Sequence, residues 1–105
     1  MLTFIKNALG LGNSVDFSAM LAEGAQIVDV RSKEEYQDGH IKGSVNIPLQ
    51  VLKNKLINIR KDKAVIVCCA SGVRSASAKQ ILTSSGFPNV HNGGGWRGLQ
   101  GKLRK

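Results

Sequence analysis

Two cysteines, two prolines and five aromatic side chains are all that the 105 residues contain of these types. The cysteines are neighbours, Cys68 and Cys69. Their Cα atoms lie too close together for an unstrained disulfide, and no third cysteine offers a partner within the chain. Two cysteines with His40 and His91 also lack the loop spacing of a four-ligand zinc site, so no metal is expected. The few aromatics do not interleave with basic residues, as a platform for stacking single-stranded bases would require. No nucleic-acid partner is expected. A run of about 18 apolar residues is absent, which excludes a membrane span, and no membrane partner is expected. Lys6 interrupts the apolar stretch of the first ten residues, a poor fit to a secretory leader. The expected location is the cytoplasm.

Acidic residues are scarce too, and unevenly so. Residues 1–50 hold four basic and six acidic side chains, whereas residues 51–105 hold eleven basic and one acidic, for a net charge of +8. A basic half of this kind attracts small oxyanions or an acidic protein partner, besides keeping the chain soluble. The length suits one domain with its own core. Residues 1–13, with Gly10 and Gly12, read as an arm or short helix, and residues 14–105 as a single domain.

Asp16 can cap a short helix over Phe17 to Glu23, stopped by Gly24. Gln26-Ile-Val-Asp-Val30 reads as a strand, and Ser32-Lys-Glu-Glu35 as a capping box that opens a second helix. Val45-Asn-Ile47 is a short strand before Pro48. Leu49, Leu52 and Leu56 predict a helix over about 49–58. Ala64-Val-Ile-Val-Cys68 is apolar throughout, the pattern of a strand buried on both faces. Cys69 to Ser75 is expected to lead into a helix reaching about Ser85, with Ala78, Ile81 and Leu82 on one face. Pro88 to His91 is expected to be the last strand. Gly93 to Gly95 should then form a loop before a helix from Trp96, whose indole anchors it to the core. His40 reads as a turn residue bonded to backbone.

Strands alternating with helices imply an α/β domain with a mainly parallel sheet covered on both faces. Ligands in such sheets sit beyond the carboxyl ends of the strands, where Asp29, Arg31 and Cys69 fall. The stretch Cys69-Ala-Ser-Gly-Val-Arg-Ser75 leads from a buried strand through a small-residue turn into a helix. Its N–H groups and the helix N-terminus favour an anion and draw a thiol toward thiolate. Gly72 supplies backbone freedom at the tight point, Arg74 a cation at the rim, and Ser71 and Ser75 hydroxyl donors. The loop is expected to be open. Cys68, at the end of the strand, reads as a small core side chain, with a vicinal redox partner of Cys69 as the alternative.

Cys69-Ala-Ser-Gly-Val-Arg-Ser75 resembles the active-site loop of the rhodanese sulfurtransferases. Ile27-Val-Asp-Val-Arg31 and Gly39-His-Ile-Lys-Gly-Ser-Val-Asn-Ile-Pro48 are similar to that family's first signature, and Ser85-Gly-Phe-Pro-Asn-Val90 with the glycines and Trp96 to its closing segment. The resemblance covers about residues 15–99. It implies a rhodanese-like fold: a central parallel five-stranded sheet flanked by helices on both faces. It also implies Cys69 as a nucleophile that forms a persulfide, with no cofactor. A small anionic sulfur donor such as thiosulfate would lie against Ala70, Ser71, Gly72, Val73, Arg74 and Ser75. Arg31 and Asp29 would line or support the site. The acceptor would be a thiol or cyanide. Two alternatives stand beside this reading. In one the domain is a carrier that holds sulfur for a partner. The other is a phosphatase or arsenate reductase, although such loops have five residues between Cys and Arg and this one has four, Ala70 to Val73.

Overall fold

The computed structural model describes residues 15–103. The arm expected over residues 1–13 lies outside them, as do Arg104 and Lys105. Four helices, four strands and two 3₁₀ segments alternate along the described chain. Helix α1 (Phe17–Ala22) is capped by Asp16, whose Oδ1 accepts the Ala19 N–H at 3.0 Å. Strand β1 (Gln26–Asp29) follows, then α2 (Lys33–Asp38). The α2 capping box forms as the sequence predicts: Ser32 Oγ accepts the Glu35 N–H, and Glu35 Oε1 accepts the Ser32 N–H at 2.9 Å. Strand β2 (Val45–Asn46) lies at one edge of the sheet.

The helix expected over 49–58 is instead two 3₁₀ segments, Leu49–Asn54 and Leu56–Asn58. Their bonds span three residues, Val51 N–H to Pro48 O and Lys55 N–H to Leu52 O. This tighter winding aligns Leu49 with Leu52 three residues on, and Leu52 is fully buried. Lys55, with φ −123° and ψ 19°, leaves helical backbone and separates the segments.

Strand β3 (Val65–Cys69) is buried along its whole length. Helix α3 (Val73–Ser84) starts three residues earlier than expected, so Arg74 and Ser75 lie in its first turn rather than in a loop. Strand β4 (Val90–Gly95) and helix α4 (Trp96–Leu103) complete the order.

The four strands are parallel in the order β2-β1-β3-β4. The fold class is therefore α/β and rhodanese-like, but the sheet has four strands among the described residues rather than five. Residues 15–103 contain four segments of strand character, and each of them is used.

Alternation along β3 divides the core in two. Val65, Val67 and Cys69 face a cluster with Val28, Leu52, Ala78 and Leu82, beneath α3 and the 3₁₀ segments. Ile66 and Cys68 face the opposite cluster with Phe17, Ile27, Ile41 and Leu99, beneath α1 and α4. The two neighbouring thiols thus belong to different layers.

Gly93 to Gly95, expected as a loop, are part of β4. The pairing steps from Val67–Asn92 to Cys68–Gly94, so Gly93 is the extra residue of a bulge. A Cβ on Gly93 would lie 2.8 Å from Leu99 Cδ2 and 2.9 Å from Ile66 Cγ2, both on buried side chains. Glycine is used here for close packing and not for turning. Gly93→Ala is expected to lose about 1–3 kcal/mol of stability, the usual cost of overpacking a core. A lowered urea midpoint with unchanged slope would show it.

Candidate active site

Cys69 is the last residue of β3, and three residues, Ala70 to Gly72, separate it from α3. Gly72 caps the helix in the left-handed region at φ +103°, which turns its own N–H back toward the strand end. That N–H donates to Cys69 Sγ at 3.0 Å, and the Ser75 N–H donates at 3.3 Å. The Ser75 hydroxyl oxygen lies 3.4 Å from the same sulfur. The sulfur therefore sits inside the N-terminal turn of a 12-residue helix, where unpaired amides and the helix dipole favour negative charge.

Burial pushes the Cys69 thiol up, but the Ser75 side chain beside the sulfur and hydrogen bonds from the Ser75, Ser71 and Gly72 amides outweigh it. The net result is a pKa below that of an ordinary cysteine. Cys68 shows the contrast. Burial without such donors, reinforced by the charge of Asp29, pushes its pKa up to about 12. Its place in the apolar layer under α1 and α4 makes it the core side chain that the strand pattern suggested.

The loop is less open than expected. Cys69 is 1% exposed, whereas Ala70, Ser71 and Val73 above it are exposed, Val73 at 73%. The amides that bind the sulfur fold the chain across it, so one layer of loop separates Sγ from solvent.

Arg74 projects from the first turn of α3 to Glu35 on α2, forming a two-pronged pair with Nη1–Oε1 at 2.8 Å and Nη2–Oε2 at 3.0 Å. Arg74 and Glu35 are each about 38% and 37% exposed. The expected rim cation is thus already bound to a carboxylate. An arginine has five N–H donors, and Glu35 takes two of them.

A profile of the rhodanese-like domain matches residues 14–102, most of the chain. The chain belongs to the rhodanese-like domain family. It is 36% identical over 98 residues to thiosulfate sulfurtransferase PspE of Escherichia coli, covering 91% of this chain and 92% of that protein. It is 42% identical over 81 residues to the uncharacterized protein YqhL of Bacillus subtilis, covering 76% of this chain and 64% of YqhL. Among solved structures it is similar to a rhodanese with anions from E. coli, with a TM-score of 0.68 and 36% identity over 71% of this chain and 91% of that one. These relatives place it with the rhodanese-type sulfurtransferase family.

Within this rhodanese domain, Arg31 pairs with Asp29 and is turned into the fold. It is 4% exposed, and its side chain belongs to the layer opposite Cys69. Its Nε donates to Asp29 Oδ1 at 2.9 Å, Nη2 to Asp29 Oδ2 and Gly39 O at 2.7 Å each, and Nη1 to Glu35 O at 3.2 Å. The guanidinium also lies over the Trp96 ring, 4.8 Å from its centroid. Four of its five N–H groups are thus used within the fold. Asp29 and Arg31 tie the end of β1 to the α2 turn.

Trp96 packs partly against the core, as expected, and is flanked by Arg31 and Arg97. His40 donates through Nδ1–H to Tyr36 O at 2.7 Å and stacks on the Tyr36 ring.

Two residues of the site were not singled out from the sequence. Glu35 was assigned only to the capping box, and its second partner, 39 positions away, requires the fold. Asn92 accepts the Ser75 hydroxyl proton on Oδ1 at 2.7 Å and the Gly94 N–H on the same oxygen at 2.9 Å. Its one local signal is an Asn two residues ahead of a glycine, the usual place for a side chain that caps its own turn.

The Arg74 hydrogen bonds, helped by the Ser32 N–H, hold the Glu35 carboxyl down at about 2, from an ordinary 4.5. Because the folded value is the lower one, the pair stabilises fully above about 4.5, and the gain fades as pH falls toward about 2. Glu35→Gln is expected to cost about 0.5–1 kcal/mol near neutral pH, the scale of a solvent-screened pair. The difference between the two proteins should close across that acid range in denaturation curves.

Proposed function

We propose that this domain transfers a sulfane sulfur through a persulfide on Cys69. The Cys69 thiolate attacks the outer sulfur of thiosulfate or a similar donor. A new S–S bond forms at Sγ, the donor's own S–S bond breaks, and its electron pair leaves with sulfite. A thiol or cyanide then attacks the outer sulfur, and Cys69 departs as thiolate. Each step is a two-electron displacement that supplies its own leaving group, and it invokes neither metal nor cofactor.

The observation that carries the reading is the convergence of the Gly72 and Ser75 amides on Cys69 Sγ, at 3.0 and 3.3 Å. These donors are fixed before the reaction, and fixed dipoles stabilise developing charge without having to reorganise. The exposed loop residues Ala70, Ser71 and Val73 lie where an incoming anion would first meet the site. A net charge of +8 favours approach of a doubly negative donor, and of an acidic protein as acceptor. In this reading Arg74 serves the donor with the N–H groups that Glu35 leaves unused, and Asp29 and Arg31 brace the scaffold.

Intact mass after incubation with thiosulfate tests the proposal. The protein should gain one sulfur atom, Cys68→Ser should gain it equally, and Cys69→Ser should not. Loading that survives Cys69→Ser would overturn it. With cyanide present the enzyme should turn over repeatedly, whereas a carrier would load once and stop. Arg74→Ala should raise the KM for thiosulfate by an amount corresponding to about 1–3 kcal/mol, the scale of a charged hydrogen bond. An unchanged KM would leave Arg74 as the partner of Glu35 alone.

A further inference from the structure

The Ser75 hydroxyl has one proton and two neighbours, Asn92 Oδ1 at 2.7 Å and Cys69 Sγ at 3.4 Å. The fold decides which of them receives it. The Gly94 N–H can only donate, and it points at Asn92 Oδ1 from 2.9 Å. Gly72 O can only accept, and it lies 3.4 Å from Asn92 Nδ2. Both ends of the Asn92 amide are therefore assigned by partners that cannot exchange roles. An amide oxygen has no proton to give, so Ser75 must be the donor in the short bond to Asn92. Toward the sulfur, Ser75 presents lone pairs. A thiol S–H can use them, whereas a thiolate cannot, unless the hydroxyl turns and abandons Asn92.

We propose that Asn92 is a positioning residue of the sulfur-transfer cycle, holding the Ser75 proton away from Cys69 and so disfavouring the empty thiolate relative to the loaded persulfide. The inference rests on the persulfide reading above. When thiosulfate loads the site, the S–S bond to Sγ forms, sulfite leaves with the bonding pair, and the negative charge moves from Sγ to the outer sulfur. Sγ then needs no proton donor from Ser75, and the Ser75–Asn92 bond can stay intact. Only the unloaded anion must break it. Asn92 acts through Ser75 and touches no reacting atom itself.

The charged groups around the sulfur do not change in this scheme. Arg74 on α3 is paired with Glu35 on α2, Asp29 is paired with Arg31 at the end of β1, and Cys68 faces the other layer of the core.

The test is the pH dependence of Cys69 alkylation by iodoacetamide, read by mass in a Cys68→Ser background. Asn92→Ala frees the Ser75 proton for the sulfur, so the midpoint should fall by about half to one pH unit, the worth of one ordinary hydrogen bond. With Ser75→Ala already present, Asn92→Ala should shift it no further. At a pH where the empty thiol is ionised, and at a fixed thiosulfate-to-sulfite ratio, Asn92→Ala should lower the loaded-to-empty ratio by about two- to tenfold.

If Asn92 merely props the loop, its loss would loosen the amides around Sγ. The midpoint would then rise, or would shift equally without Ser75. An unchanged or raised midpoint, or a shift that persists in Ser75→Ala, overturns the proposal. Asn92→Asp keeps an acceptor on the Ser75 proton and covers the case in which Asn92→Ala does not fold. Its midpoint should rise more with Ser75 present than without, and an equal rise in both backgrounds also overturns the proposal. Alkylation reads the empty thiol and does not require that it can be loaded. Absence of persulfide with the expected midpoints would therefore defeat the functional reading and leave the Asn92 assignment intact.

Discussion

A sulfur at the end of a strand buried along its whole length has no water in which to ionise, and the Gly72 and Ser75 amides take the place of that water. Most of the local architecture follows from that substitution. The three-residue turn must be short enough to return two N–H groups to the strand end. Gly72 must adopt a positive φ to aim the first, and α3 must start early enough for Ser75 to supply the second. A longer loop would leave the sulfur either wet or unsolvated, and either state would spoil a site meant to hold charge on one atom.

The same strand shows why two adjacent thiols are not equivalent. Strand geometry sends Cys68 and Cys69 to opposite layers. Burial is nearly complete for both, so exposure does not distinguish them. Hydrogen-bond donors do. Cys69 meets a helix start and is drawn toward thiolate, while Cys68 meets apolar side chains with the Asp29 charge nearby and is pushed up to about 12. A vicinal redox pair would need both sulfurs on one side of the sheet, and the alternation of β3 denies it.

What could be read from the chain beforehand divides along the range of the interactions. The capping box of α2, the buried character of β3 and the turn after Cys69 depend on neighbours within a few positions, and all are visible in residue order. Three features depend on contacts made across the fold. The leucines at 49, 52 and 56 fit either winding, and Lys55 with the packing of Leu52 selects 3₁₀. Arg31 is two residues from Asp29, but whether it faces solvent or the core depends on Gly39 O and the Trp96 ring. Arg74 has its carboxylate partner 39 positions away, on a helix that the local pattern had already explained by capping.

The glycines from 93 to 95 link these two kinds of information. Their composition suggests a loop, yet they continue the sheet, where a side chain at 93 would collide with Leu99 and Ile66 and one at 95 with the backbone of Ala70. Absorbing Gly93 in a bulge leaves Asn92 paired with Val67 while the next pair, Cys68 with Gly94, lies two residues on. Gly94, at φ +82°, then turns its N–H back onto Asn92 Oδ1. The bulge that lets β4 pack closely is thus also what fixes the amide that holds the Ser75 hydroxyl. Tight packing on one side of the strand and the state of the sulfur on the other are set by one irregularity, and the site cannot be repacked there without disturbing its chemistry.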